Sequence, residues 1–518
     1  MTTLADQRRL IDALQRMHAA QVIETHISWV LLIGGYAYKI KKAIDLGFLN
    51  YLELSSRAHF CSEELRLNRR TAPDLYLEVV NIGGSVEAPQ LGVQPAIEYA
   101  VKMRRFADDA LMDVRLRQGA IAPSHIDALA GVVARFHEQA AELDPHSSFG
   151  TADTIRAVAM QNFEQMRALL SDEADLRLLA SLEQQTDREW QSCVASFESR
   201  RGDGYVRECH GDLHLGNIAL IGDAPVPFDC IEFSPELHWI DVMDEVAFTM
   251  MDMLYHGRSD LAWRYLNAYL QITGDYAGMG VMRFYLAYRA AVRAKIEAIN
   301  AGQSAGSLRV RHLQACRTHL ALGQRCLAGR YPALIITHGL PGCGKTTFAQ
   351  YVLENLGAVR IRSDVERKRM YGLSALEGSR KLQVDIYSKD ATTRTYGRLL
   401  DLARDLLAAG YPVVVDAAFL QREERKMFGS LARELGVPFA IATLEADEYT
   451  LRTRLRKRRH DASEADVKVL EKLQAVQQPL AEEELKVALR FNTALPPQSG
   501  KNANGWAELL KFVCMLEP

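Results

Sequence analysis

The eight cysteines of this 518-residue sequence, at 61, 193, 209, 230, 316, 326, 343 and 514, include no C-x-x-C pair. That excludes a zinc knuckle and a redox motif of the usual spacing. Cysteine so thinly spread over so long a chain excludes a disulfide scaffold, and a reduced, intracellular protein is expected. Net charge is also scarce: 62 Lys and Arg against 65 Asp and Glu leave -3. No global basic field draws the chain to nucleic acid or membrane, so such contacts need a local patch. Long apolar runs are missing too. W-V-L-L-I and P-A-L-I-I are far shorter than the ~20 residues of a membrane helix. The N-terminal stretch is polar and amphipathic, without a signal-peptide core, and a cytoplasmic, membrane-free protein is expected. What is present, 48% hydrophobic and 25% charged residues, is ordinary globular composition. The length implies two to four domains at ~100–200 residues each.

Along the chain, residues 5–19 have helical spacing. Trp29–Ile33, Gly34-Gly35 and Tyr36–Ile40 read as a hairpin. A helix is expected over Arg57–Arg70, and strands over Leu75–Val80 and Pro95–Met103. From about 124 to 200 the pattern is helical, with Leu129, Val132, Val133, Phe136 and Ala140 on one face. Loops and short strands follow at 205–233, and helices again at 240–325. A β-rich lobe followed by a helical lobe is the expected first domain, 1–328. Near 331 strands begin to alternate with helices: Ala333–Thr337, a helix from Lys345 to about Leu356, Val359–Arg362, a helix over Asp390–Ala409, then Pro412–Val415 and Pro438–Leu444. That rhythm implies a parallel α/β sheet in a second domain, 329–518.

Between the first strand and first helix of that domain, residues 339–346 read G-L-P-G-C-G-K-T. This fits G-x-x-x-x-G-K-[ST] in its required context. Gly339, Gly342 and Gly344 let backbone N–H groups turn inward around phosphate oxygens. Lys345 supplies charge for the β/γ-phosphates, and Thr346, followed by Thr347, sits at a helix N-terminus where its hydroxyl can ligate Mg²⁺. Asp416 closes the run V-V-V-D and should face the ligand crevice as a metal carboxylate. In I-R-S-D-V-E-R-K-R-M, Ser363 and Glu366 have capping-box spacing, which leaves Asp364 free. It is expected at the end of the strand next to the P-loop strand, as general base, with Arg367 one turn on as substrate or phosphate clamp. Residues 452–459 hold six basic residues in eight. Arg454 and Arg458, at i and i+4, are expected as lid arginines on the transferring phosphoryl group. The run also admits a nucleic-acid acceptor. These motifs resemble the zeta-toxin-like family of P-loop kinases, related to polynucleotide and small sugar kinases. The resemblance implies that Asp364 handles the acceptor hydroxyl.

In the first domain, residues 210–217 read H-G-D-L-H-L-G-N, and Asp229 follows in P-F-D-C-I-E-F. D-L-x-x-x-N is the spacing of a kinase catalytic loop. Asp212 is then the base that accepts the hydroxyl proton, and Asn217 and Asp229 hold Mg²⁺. The pattern resembles the aminoglycoside phosphotransferase family, with its two-lobed protein-kinase-like fold. The resemblance implies that Asp244, in D-V-M-D-E-V-A, braces the catalytic loop. It places the nucleotide-binding lysine at Lys39 in Y-A-Y-K-I-K-K, with Lys41 on the same strand face, and the adenine hinge near Tyr99–Met103. The lysine's partner is Glu63 or Glu64, a choice the sequence leaves open. The short Gly34-Gly35 turn predicts a loose cover over the nucleotide. His137 is expected to be packed or on the surface, not catalytic, and the resemblance implies a mainly structural role for His214.

The expected protein is therefore a two-domain phosphotransferase that moves the γ-phosphate of Mg·ATP to hydroxyls of small molecules. Two alternatives stand beside it: the P-loop domain as an ATP switch for the kinase-like domain, or as a polynucleotide 5′-hydroxyl kinase.

Overall fold

A computed structural model describes residues 3–47, 49–379, 384–457, 461–494 and 502–514. Packing sorts the chain into two compact units. One joins Met1–Gln161 to Val194–Asp252, the other Asn162–Cys193 to Met253–Pro518.

The first unit opens with helix Leu4–His18, started by a capping box in which Thr3 and Asp6 satisfy each other's backbone N–H groups. Its apolar stripe, Leu10, Ile11 and Leu14, is buried with Trp29, Leu31 and Ile40 of the sheet. That antiparallel sheet runs Gln21–Glu24, Ser28–Ile33, Tyr36–Lys41, Glu98–Arg104, Tyr76–Gly84, Pro89–Leu91. The expected hairpin is present, with Val30 opposite Lys39. Helix Leu54–Asn68 packs on the other face through Cys61 and Leu65. Tyr99–Met103 lies inside the strand Glu98–Arg104. Beyond helix Pro123–Gln139 come two short antiparallel pairs, Val206–Glu208 with Trp239–Asp241, and Ile218–Ile221 with Ala224–Pro227. They fix the ends of the loops at 209–217 and 228–238. A buried bidentate pair, Arg200 on Asp241 at 2.7 and 2.8 Å, locks the first of them. The mixed β and helical content is that of a kinase-like fold.

In the second unit a parallel sheet runs Val359–Arg362, Val413–Asp416, Leu334–His338, Phe439–Glu445, Ala488–Asn492. Leu334, Ile335 and Ile336 have no exposed surface, because a parallel sheet is covered on both faces and its central strand reads as an unbroken apolar run. Helices Lys345–Leu356, Lys389–Ala408, Arg422–Leu435 and Ala503–Cys514 pack on it. The strand Ala488–Asn492 has no counterpart in the sequence reading. One expectation is corrected: the strand before Asp364 is not next to the P-loop strand. Val413–Asp416 lies between them, so Asp416 is on the neighbour and Asp364 follows the edge strand.

That edge is covered by a helix of the same unit, Ser259–Thr273. Buried Asn267 donates from Nδ2 to the Ala358 carbonyl (3.0 Å) and accepts at Oδ1 from the Arg360 N–H (2.7 Å). A side-chain amide thus pairs with the edge strand as a neighbouring peptide would. Arg264 reaches Glu354 at 2.8 Å, and Arg369 donates to the Gln271 carbonyl at 2.7 Å, at the C-terminal end of the covering helix. Among the described residues no helix is long and apolar enough to cross a membrane.

Candidate functional site

In the first unit, Lys39 extends from the strand Tyr36–Lys41 to Glu64 Oε1 at 2.8 Å and also contacts Asp229 Oδ1. The choice left open by the sequence falls on Glu64, which is fully buried. Glu63 faces outward and pairs with Arg66 at 2.9 Å, so it takes no part in holding Lys39. Buried Lys41 shares Glu64 (2.6 Å) and also contacts Glu232, which accepts from the Tyr51 hydroxyl at 2.6 Å. Alternating charges therefore run Asp229, Lys39, Glu64, Lys41, Glu232. Burial alone would lower Lys39, but Asp229 and Glu64 outweigh it and hold the ammonium well above its ordinary value. Desolvation would likewise raise Asp229, and Lys39 holds it down. Asp229 has φ 67°, a left-handed backbone that carries strain in a residue other than glycine.

Asp212 and Asn217 meet across the loop: Asn217 Nδ2 donates to Asp212 Oδ2 at 2.9 Å. His214 takes the structural place expected of it, accepting from the Gly216 N–H at 3.0 Å. The sequence reading missed the group that holds this loop in shape. Glu245 Oε2, fully buried, accepts from the His210 N–H (2.7 Å) and the Gly211 N–H (2.9 Å), and its Oε1 lies 3.0 Å from His137 Nε2. The Thr249 hydroxyl donates to the Leu213 carbonyl (2.6 Å), and Asp252 accepts from the Leu215 N–H (2.9 Å). Asp244, expected as a brace, is buried on the same helix, next to Glu245. Burial would raise Glu245, but the His137 bond and the loop N–H groups bring it down to about 2. The signal was present: 245, 249 and 252 form an i, i+4, i+7 polar stripe on the mostly apolar helix Val242–Tyr255.

In the second unit a cleft of about 1590 Å³ is lined by Gly342, Gly344, Lys345, Thr346, Thr347, Asp364, Arg367, Asp416 and Arg454. Gly339 and Gly344 have φ 150° and 91°. A Cβ on Gly339 would lie 2.7 Å from the Leu444 carbonyl oxygen, so no side chain fits there. Lys345 Nζ donates to the Gly339 and Leu340 carbonyls, both at 2.9 Å. Asp416 is buried and its Oδ2 has no hydrogen-bond partner, with Arg362 Nε 3.3 Å away. Arg362 also reaches Asp461 at 2.9 Å. Arg367 is 6% exposed, donates to the Ile386 carbonyl (2.9 Å) and stacks over the Tyr387 ring at 5.1 Å, while its Nε lacks a partner. Arg454 donates to the Thr493 carbonyl (2.6 Å) and the Gly342 carbonyl (3.3 Å), tying the phosphate loop to the sheet. Arg458 lies outside the described residues.

A backbone-lined cradle, a buried carboxylate oxygen that has an ion pair with Arg362 but no hydrogen bond among the described residues, and a lysine resting on carbonyls fit a nucleotide phosphate with Mg²⁺. Asn217 and Asp229 carry oxygens of the kind that Mg²⁺ takes as ligands.

Residues 334–480 match a family described as an AAA domain. The uncharacterized protein Rv2004c of Mycobacterium tuberculosis is 31% identical over 420 residues, 80% of this chain and 81% of that protein. Among solved structures, a choline/ethanolamine kinase family protein from Mesorhizobium loti is 11% identical (TM-score 0.37), covering 62% of this chain and 100% of that one. A gluconokinase from Sinorhizobium meliloti is 21% identical (TM-score 0.26), covering 35% and 94%.

Proposed function

This chain belongs to one family with the mycobacterial protein Rv2004c, and on that footing we propose that it is an ATP-dependent phosphotransferase with two active sites, divided functionally at 328/329. Each site transfers the γ-phosphate of ATP to a hydroxyl of a small molecule. The observation that carries this reading is the cleft of about 1590 Å³, which combines Lys345, Thr346 and Asp416 with Asp364 and Arg367. Such a cleft has a phosphate side and an acceptor side.

On the phosphate side, Lys345 leaves the carbonyls of Gly339 and Leu340 for phosphate oxygens, and the loop N–H groups orient the phosphates. Thr346 and Asp416 hold Mg²⁺, with Asn217 and Asp229 doing so in the kinase-like site. The metal, when bound, neutralises charge on the transferring phosphoryl group. On the acceptor side, Asp364 accepts the hydroxyl proton and Arg367 clamps an oxygen-bearing part of the acceptor. Asp212 is the base of the kinase-like site. Its bond from Asn217 Nδ2 leaves the Asn217 carbonyl oxygen for the metal. Lys39, kept charged by Glu64, orients nucleotide phosphates. Both sites work by positioning and charge, in a cytoplasmic setting.

The test is an untargeted mass-spectrometric comparison. A metabolite extract with short oligonucleotides is incubated with Mg·ATP and wild type, Asp212→Asn or Lys345→Ala. A phosphorylated species lost only with Asp212→Asn is the product of the first site, and one lost only with Lys345→Ala is the product of the second. If wild type binds nucleotide but yields no product, the transferase reading is refuted and the P-loop acts as a switch. A phosphorylated oligonucleotide lost with Lys345→Ala would replace the small-molecule acceptor by a polynucleotide.

A further inference from the structure

The loop that follows Asp416 holds an unexplained strain. Phe419 has φ 49°, a left-handed conformation in which a bulky residue is a genuine outlier. Such a conformation is costly and persists only when its surroundings over-determine it. Here they do. The Phe419 N–H donates to the Tyr396 hydroxyl at 3.1 Å, and Arg425 Nη1 donates to the Phe419 carbonyl at 3.0 Å. The ring has no exposed surface and stands edge-on to Tyr396 (5.2 Å) and Phe428 (5.0 Å).

The residues on either side of this kink all line the cleft. Before it, the Ala418 carbonyl accepts from the Gly339 N–H at 3.1 Å, and Ala417 exchanges bonds with Thr337 at 2.7 and 3.1 Å. The chain leaving Asp416 is thereby fastened to the start of the phosphate loop. After it, Leu420, Gln421 and Glu424 line the cleft with Tyr396. An extended Phe419 would redirect the chain between Ala418, held at the phosphate loop, and Leu420.

We propose that Phe419 is a positioning residue for the P-loop site: its left-handed backbone, held by Tyr396 and Arg425, keeps Asp416 and the phosphate loop in register with the wall formed by Leu420, Gln421 and Glu424. This rests on the cleft being a Mg·nucleotide site. The strain is stored where the fold must serve two partners at once, and Tyr396 is the part of the restraint that faces the cleft.

The test uses the full-length protein and Mg·ADP, with hydrogen exchange of the 339–347 and 416–421 amides as a site-specific readout. In wild type, Mg·ADP slows exchange over 339–347. Tyr396→Phe keeps the ring and removes the acceptor of the Phe419 N–H. It is expected to raise the dissociation constant at 339–347 about tenfold, equivalent to about 1.4 kcal/mol, and to speed exchange over 416–421 without ligand. Phe428→Leu removes a packing ring but none of the hydrogen bonds, and should change the constant less than twofold. An unchanged constant in Tyr396→Phe, or an equal change in Phe428→Leu, overturns the proposal while the nucleotide reading stands. Absence of protection at 339–347 in wild type overturns the nucleotide reading itself, and this proposal with it. If Tyr396→Phe does not fold, Phe419→Gly and Phe419→Ala decide. Both lose the ring, but only glycine takes φ 49° without strain, so Gly should bind Mg·ADP about fivefold more tightly than Ala. Equal or reversed affinities overturn the proposal.

Discussion

Replacing Glu245 by glutamine isolates what its charge does for the kinase-like catalytic loop. Glutamine has the shape of the protonated acid, so the cost of the change is the worth of ionisation. The carboxyl stands at about 2 in the fold against an ordinary 4.5. At ~1.36 kcal/mol per tenfold, that difference is worth about 3 kcal/mol at pH 7. A group held low in the fold stabilises fully above its unfolded value, and the benefit is lost as pH falls through the folded one. The gap between wild type and Glu245→Gln should therefore narrow by about 2 kcal/mol between pH 7 and pH 3. Glu245→Ala is more severe. It leaves the His210 and Gly211 N–H groups without their buried acceptor, at ~1–3 kcal/mol each. Hydrogen exchange at those two amides reads the local opening directly. Glu245→Gln should speed it by roughly two decades at pH 7. A cost below about 1 kcal/mol at pH 7, or a gap as wide at pH 3, would refute the assignment of Glu245 as the charged anchor of the loop.

Gly339→Ala places a methyl 2.7 Å from the Leu444 carbonyl. Neither backbone can yield, so Mg·ADP affinity at 339–347 should fall at least tenfold by isothermal titration on a Lys39→Met background. Buried His338 has no partner on either ring nitrogen, and burial, then Arg425 and Lys345, pushes it down to about 4. A histidine held low stays neutral in the fold while the unfolded chain protonates below about 6.5, so stability drains away as pH falls from there towards 4. His338→Leu should match wild type near pH 7 and exceed it by about 2 kcal/mol at pH 5 in urea unfolding. Lys41→Met leaves Glu232 buried without its cation, and Glu64 with Lys39 alone. It should cost about 3–5 kcal/mol, read by thermal unfolding, whereas a loss confined to ATP affinity would make Lys41 a nucleotide ligand.

The parts of the molecule most legible in the sequence were those set by local rules. The P-loop, its flanking strand and helix, and the Gly34-Gly35 hairpin follow from spacing and turn chemistry over a few residues. The choice between Glu63 and Glu64 was not legible, because adjacent helical positions differ only in which way they face, and packing decides that. The strand order that puts Asp416 beside the P-loop and Asp364 at the edge is a long-range property with no local signature. Glu245 lay between the two. Its stripe with Thr249 and Asp252 was visible as polar residues at helical spacing, but spacing does not say which loop N–H groups a carboxylate meets. The strain at Phe419 had no sequence signal, since V-V-V-D-A-A-F-L reads as a strand running into a loop.

The amide of Asn267 has a consequence for cutting the chain. It gives the edge strand Val359–Arg362 the two bonds that a further strand would have supplied. A fragment begun at 329 would carry the whole G-L-P-G-C-G-K-T loop and still lose that cover. Its bare edge would offer an unpaired donor and acceptor to any strand of matching register, most readily the same edge of a second fragment. The two halves expected from the sequence are thus not interchangeable cassettes. One borrows its last hydrogen bonds from a helix that precedes it in the chain, and a separation that leaves both halves monomeric has to carry residues 259–276 along with the P-loop half.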